Sequence, residues 1–157
     1  MPKSQIRLAR DADVSAIKQI VGDAYSHYIT RLGREPAPMT EDYAPLVESG
    51  NVWLLVVEDE IAGLIVLRIR EDHLLLSNVA VATQFQGRGF GRQLLDYAER
   101  YAGEQGKDEL RLYTNELMHE NLRIYQKLCR EEYDRAEQDG FRRVFMRKKL
   151  AAGANAK

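Results

Sequence analysis

The chain is poor in the residues that mark several protein classes. It has one cysteine, Cys129, which excludes an internal disulfide and a cysteine-rich zinc centre. No metal is expected. No apolar run approaches the roughly 20 residues of a membrane-spanning helix, and the first ten residues hold no apolar stretch of signal-peptide length. Neither charge dominates: 23 Lys and Arg stand against 24 Asp and Glu, a net −1, so no basic field draws the chain to nucleic acid. Pro/Gly/Ser-rich linkers and internal repeats are also missing. A cytoplasmic protein with neither a membrane nor a nucleic-acid partner is the expectation.

What remains is ample for a core. The chain has 157 residues, 45% of them hydrophobic, which fits one domain over residues 1–150 and a flexible tail over 151–157. Residues 6–9 read as a short strand. Asp11 or Asp13 caps a helix running to about Tyr28, with Ile17, Ile20, Val21 and Ala24 on one face. Gly33, Pro36 and Pro38 mark residues 31–39 as a loop, and Thr40 caps a short helix through Val47. Residues 51–58, 61–70 and 74–81 then read as three consecutive strands, an antiparallel meander. Beyond Gly87 the apolar period lengthens: Leu94, Leu95, Ala98 and Tyr101 share a helix face. A strand over 110–114, a helix over 118–128 and a hairpin around Asp139-Gly140 follow. A strand, helix, strand order implies parallel pairing within the sheet. The fold class is α+β, a mixed and mostly antiparallel sheet of about seven strands flanked by about four helices.

The most informative stretch is Asn78-Val79-Ala80-Val81 followed, four residues on, by Gln86-Gly87-Arg88-Gly89-Phe90-Gly91-Arg92. A strand feeds a glycine-rich turn that opens a helix. The first N–H groups of a helix lack internal partners, and glycines let a phosphate approach them. Arg88 and Arg92 add charge-assisted donors. The spacing is not that of a dinucleotide site, because the third glycine would fall on Arg92 or Leu94. Nor does a Gly-Lys-Ser/Thr ending mark a nucleotide triphosphate loop. A plain loop at a helix start stays open beside a phosphate cradle.

Gln86-x-x-Gly89-x-Gly91, directly after Val79-Ala80-Val81, resembles the acetyl-CoA signature of the GNAT superfamily of N-acetyltransferases, Gln/Arg-x-x-Gly-x-Gly/Ala. The order of elements resembles that family's over roughly residues 4–149. The resemblance implies that the pyrophosphate of acetyl-CoA sits on Gln86 to Gly91, and that the pantetheine arm pairs with Asn78 to Val81 as an added strand. The family opens its sheet between this strand and the next, and a backbone N–H near Val79 polarises the acyl carbonyl. Asn121 and Tyr125 match its Asn-x-x-x-Tyr, four apart on one helix face. Asn121 then contacts the pantetheine arm, the Tyr125 hydroxyl protonates the leaving thiolate, and Lys127 completes the segment. Cys129-Arg130 replaces the family's usual Gly-Phe, a departure that bears on where Tyr125 is placed.

An alkyl amine has a pKa near 10.4, so about one molecule in a thousand or fewer is neutral at pH 7 and the proton must be removed. Where many relatives carry a carboxylate, this chain has Leu76-Ser77-Asn78, so Ser77 and Asn78 are expected to hold a water. Glu35, in the loop that the resemblance places over the acceptor pocket, is the first candidate for a cationic amine. Tyr28, Tyr43, Glu41 and His119 come after it. The basic run Arg142, Arg143, Arg147, Lys148 and Lys149 reads as an edge strand guarded against aggregation, with a homodimer contact or an acidic partner as alternatives. The function implied is acetyl transfer from acetyl-CoA to a primary amine. The rival readings are an acyl-CoA sensor that transfers nothing and a partner-binding module on the same fold.

Overall fold

The computed structural model describes residues 3–128, 131–138 and 141–150. Cys129-Arg130, the Asp139-Gly140 turn and the tail 151–157 therefore lie outside the described residues, as does the side chain of Lys127.

The elements are β1 (Ser4–Leu8), α1 (Val14–Tyr25), α2 (Tyr28–Leu32), α3 (Ala37–Thr40), α4 (Tyr43–Glu48), β2 (Val52–Val57), β3 (Glu60–Ile69), β4 (Leu74–Val81), α5 (Phe90–Glu104), β5 (Glu109–Asn115), α6 (His119–Leu128), β6 (Glu131–Gln138) and β7 (Phe141–Lys149). Seven strands form one mixed sheet in the order β1-β2-β3-β4-β5-β7-β6. The pair β4–β5 is parallel, and β1–β2, β2–β3, β5–β7 and β6–β7 are antiparallel. Among the described residues there are six helices, against an expectation of about four. The loop read over 31–39 holds α3, whose prolines sit where a missing N–H costs nothing. The helix expected to reach Tyr28 breaks after Tyr25 and resumes as α2. Asp42, not Thr40, caps α4: its carboxylate accepts the Ala44 N–H at 3.3 Å.

The chain clusters into two compact units, residues 1–67 with 78–94, and residues 68–77 with 95–157. In the first, α1 buries Ile17, Ile20, Val21 and Tyr25, the face that its apolar spacing predicts. Strand β2 is buried along nearly its whole length, and Glu58 and Asp59 turn it into β3 with left-handed backbones (φ 49° and 70°), as a tight hairpin requires. In the second unit, Leu74, Leu76, Leu110, Leu112, Val144 and Met146 form a core with Leu95, Ala98 and Ala102 of α5.

The expectation that the basic run is an edge strand is corrected. Strand β7 lies between β5 and β6, and the edge is β6, exposed at every position. Arg147 pairs with Glu131 of β6, Arg142 with Glu116 at 2.9 Å, and Lys148 with Glu99. Three of the five cations thus meet carboxylates within their own unit, and Arg143 donates to the Gln138 amide oxygen at 2.6 Å, which suits a basic strand inside a sheet.

Candidate acyl-CoA site

Strand β4 alternates strictly between buried and half-buried residues, so Asn78 and Ala80 point into the core while Val79 and Val81 point the other way. The backbone groups alternate too. The Ala82 N–H bonds the Ala62 carbonyl of β3 at 2.8 Å, so even-numbered residues face β3 and odd-numbered ones face the opposite edge. On that opposite edge both odd carbonyls take side-chain donors. Tyr25 Oη lies 3.1 Å from Val79 O, and Gln86 Nε2 donates to Val81 O at 3.1 Å. Gln86 thus ties the glycine loop back onto the strand that precedes it.

After β4 a short 3-10 turn over Thr83–Phe85 buries Phe85, which meets Phe90 edge-on at 5.9 Å. This aromatic pair anchors both sides of the loop. Gly87 and Gly89 have φ of 79° and 84°, a conformation that side chains resist, and a Cβ built on either meets nothing within 4 Å. The loop is therefore open above both glycines. The Gln93 N–H bonds the Gly89 carbonyl at 3.2 Å, so the Phe90 and Gly91 amides precede the first bond that returns along α5. Arg88 is exposed, its guanidinium 5.5 Å from the Phe85 ring. Open space, helix-start amides and an exposed cation fit a pyrophosphate.

Asn78 is 5% exposed, and both ends of its amide are bonded: Oδ1 accepts from Tyr25 Oη at 2.7 Å, and Nδ2 donates to Tyr43 Oη at 3.0 Å. The side chain expected to hold a water is instead committed to two tyrosines. Ser77 Oγ accepts from Arg68 Nε at 3.0 Å. Sequence reasoning gave Tyr25 no role, because a position one helical turn beyond Val21 reads as core, and its ring is indeed buried. Glu35 and Glu41 are exposed in the segment around α3, and His119 is exposed at the start of α6. In the second unit Tyr125 is 4% exposed and Asn121 half-buried, both on α6.

Residues 15–129 match the acetyltransferase (GNAT) family. The chain belongs to that family. Among curated proteins it is similar to the uncharacterized N-acetyltransferase YvbK of Bacillus subtilis, with 32% identity over 82 residues, 52% of this chain. That match spans about half the length of the relative, 53%. Solved structures share the fold. The PaiA N-acetyltransferase of Thermoplasma acidophilum in complex with coenzyme A superposes with a TM-score of 0.73 at 16% identity, covering 94% of this chain and 99% of that one. The ribosomal-protein-S18-alanine N-acetyltransferase of Escherichia coli gives 0.71 at 18% identity over 95% of each chain. The family match contains the glycine loop, Asn121 and Tyr125. Among the described residues no helix is long and apolar enough to cross a membrane.

Proposed function

We propose that this chain moves an acetyl group from acetyl-CoA to a primary amine by direct attack in a ternary complex, with residues 1–150 acting as one catalytic domain. The observation that carries this reading is the open loop of Gly87 and Gly89 at a strand-to-helix junction within a family match. In the loop that Gln86 opens, the amides from Gly87 to Arg92, with the Arg88 guanidinium, hold the pyrophosphate. Acetyl-CoA supplies a thioester, an acyl carbon that an amine can attack. The Val79 N–H meets the acyl oxygen as it gains negative charge. Ala80 and Val81 present backbone to the pantetheine arm, and Asn121 contacts it. Tyr125 delivers a proton to the leaving sulfur. Glu35 attracts the cationic amine, and its exposure leaves it accessible for that task.

Calorimetry with acetyl-CoA, on wild type and Gly89→Glu, tests the cradle. Wild type should bind at micromolar strength, about −8 kcal/mol, and the added carboxylate should abolish it. Equal affinity in both proteins would remove the loop from the site. A panel of amines, amino acids and peptides, followed by thiol release, tests transfer. Binding without thiol release would favour the sensor. With the best acceptor, Glu35→Gln should raise the acceptor KM several-fold and leave that for acetyl-CoA unchanged.

A further inference from the structure

The buried tyrosines around Asn78 form a chain of hydrogen bonds with only one possible direction. Tyr43 Oη lies 2.6 Å from the Pro38 carbonyl, which can only accept, so the single Tyr43 hydroxyl proton is spent there. Tyr43 must then receive from Asn78, which fixes Nδ2 toward it and Oδ1 toward Tyr25. The Tyr25 proton in turn is shared between Asn78 Oδ1 at 2.7 Å and Val79 O at 3.1 Å. Tyr25, Tyr43 and Asn78 are 3%, 2% and 5% exposed, so none of these bonds is readily replaced by water. The sequence runs from Pro38, in α3, through Tyr43 of α4 and Asn78 to the peptide of Val79. All of it lies within the first unit.

We infer that Tyr25, Asn78 and Tyr43 are positioning residues, a relay that makes the set of the Val79 backbone, whose carbonyl meets Tyr25 and whose N–H leaves the same strand edge, depend on the seating of residues 36–40. Its chemical meaning rests on the function proposed above, in which Val79 faces the acyl oxygen and this segment borders the acceptor. The residues do no proton chemistry, because the chain ends in a carbonyl that cannot pass a proton on. What they transmit is geometry. A displaced Pro38 frees the Tyr43 proton to turn toward Asn78 Oδ1, the Asn78 amide is then released to rotate, and the Tyr25 proton, no longer shared, passes to the Val79 carbonyl alone. An acceptor that packs against residues 36–40 thereby also steadies the backbone group that serves the donor.

Tyr25→Phe and Tyr43→Phe each remove one hydroxyl and keep the ring. Hydrogen exchange in the protein without ligand reads the relay directly, at the Met39 amide that bonds Pro36 O at 2.9 Å. Tyr25→Phe should speed Met39 exchange about fivefold, the effect of one lost buried hydrogen bond passed along the chain. In the same variant kcat should fall about tenfold while the Kd for acetyl-CoA stays within about twofold. The double variant should lose little more than the worse single one, since both hydroxyls act through Asn78. Unchanged Met39 exchange in both single variants would overturn the relay. Faster exchange with unaltered kcat would overturn the positioning role and leave a purely structural one. If wild type binds no acetyl-CoA, the proposed function fails on its own, and the exchange result still decides the relay.

Discussion

Gly63 on β3 should not tolerate even one methyl group. A Cβ there would stand 2.7 Å from the carbonyl oxygen of Ala80, 3.1 Å from Leu94 Cδ1 and 3.4 Å from Val81 Cα. The leucine methyl can turn away, but the carbonyl belongs to the backbone of β4 and cannot. Strand β3 or β4 must therefore move, where both are pinned by buried neighbours. Overpacking of this kind costs about 1–3 kcal/mol, against which Gly→Ala regains about 0.5–1 kcal/mol by restricting the unfolded chain. The net loss for Gly63→Ala is up to about 2.5 kcal/mol, a Tm drop of up to about 10 °C for a chain of this size. Gly22→Ala is the matched control. Gly22 lies inside α1 with nothing within 4 Å of a built Cβ, so the same change should stabilise by about 0.5–1 kcal/mol. Thermal melts and urea titrations on the three proteins measure the difference. Because the clash falls on Ala80 and Val81, acetyl-CoA affinity should also fall in Gly63→Ala and not in Gly22→Ala. A Gly63→Ala protein that melts at or above wild type, beside a control that behaves as stated, would refute the close approach of β3 to β4.

Other outcomes follow from single residues. Tyr125→Phe keeps the buried ring, so acetyl-CoA binding and Tm should hold while kcat falls at least about tenfold; unchanged kcat with chemistry limiting turnover would remove Tyr125 as the acid. Thr114 Oγ1 is buried with no hydrogen-bond partner among the described residues, so Thr114→Val should leave the unfolding free energy unchanged or raise it by up to about 1 kcal/mol, read by urea titration. The bond from Arg7 holds the Asp13 carboxyl below its usual pKa, helped by the Arg10 N–H and opposed by partial burial. A depressed folded-state value stabilises above the unfolded pKa of about 3.9 and is lost as pH falls through the folded one. Asp13→Asn should therefore lower Tm at pH 7, and its gap to wild type should close below about pH 4.

The features legible in the sequence are those with a local cause. The strands of the meander show as runs of Val, Leu and Ile, α5 shows as a change of apolar period, and the glycine loop shows because left-handed turns select glycine. Elements α2 and α3 left no signature, since helices of five and four residues are too short for a periodic face. The place of β7 was misread because a run of cations looks the same at an edge as it does beside an acidic strand; only pairing with Glu131, Glu99 and Glu116 distinguishes them. Asn78 was read by what it is not, a carboxylate. Its partners Tyr25 and Tyr43 lie 53 and 35 residues away, and no spacing rule reaches that far.

The division of labour along β4 explains why its side chains name no chemistry. Even-numbered residues spend their side chains on the core: Leu74, Leu76 and Ala80 by packing, Asn78 by its two tyrosine bonds. Odd-numbered residues offer backbone on the edge away from β3. There the Val79 and Val81 carbonyls would lack a donor in the free protein, and Tyr25 and Gln86 supply one to each. A carbonyl oxygen has two lone pairs, so one side-chain donor satisfies it and still leaves it able to accept from a ligand amide. The strand can thus keep an edge for a ligand without holding orphaned polar groups when that ligand is absent. Such an edge needs donors delivered from elsewhere in the chain, a tyrosine at the end of α1 and the glutamine that opens the glycine loop. Gln86 therefore serves the strand as much as the loop, and Gln86→Ala should weaken acetyl-CoA binding by loosening both at once, without touching a single cradle amide.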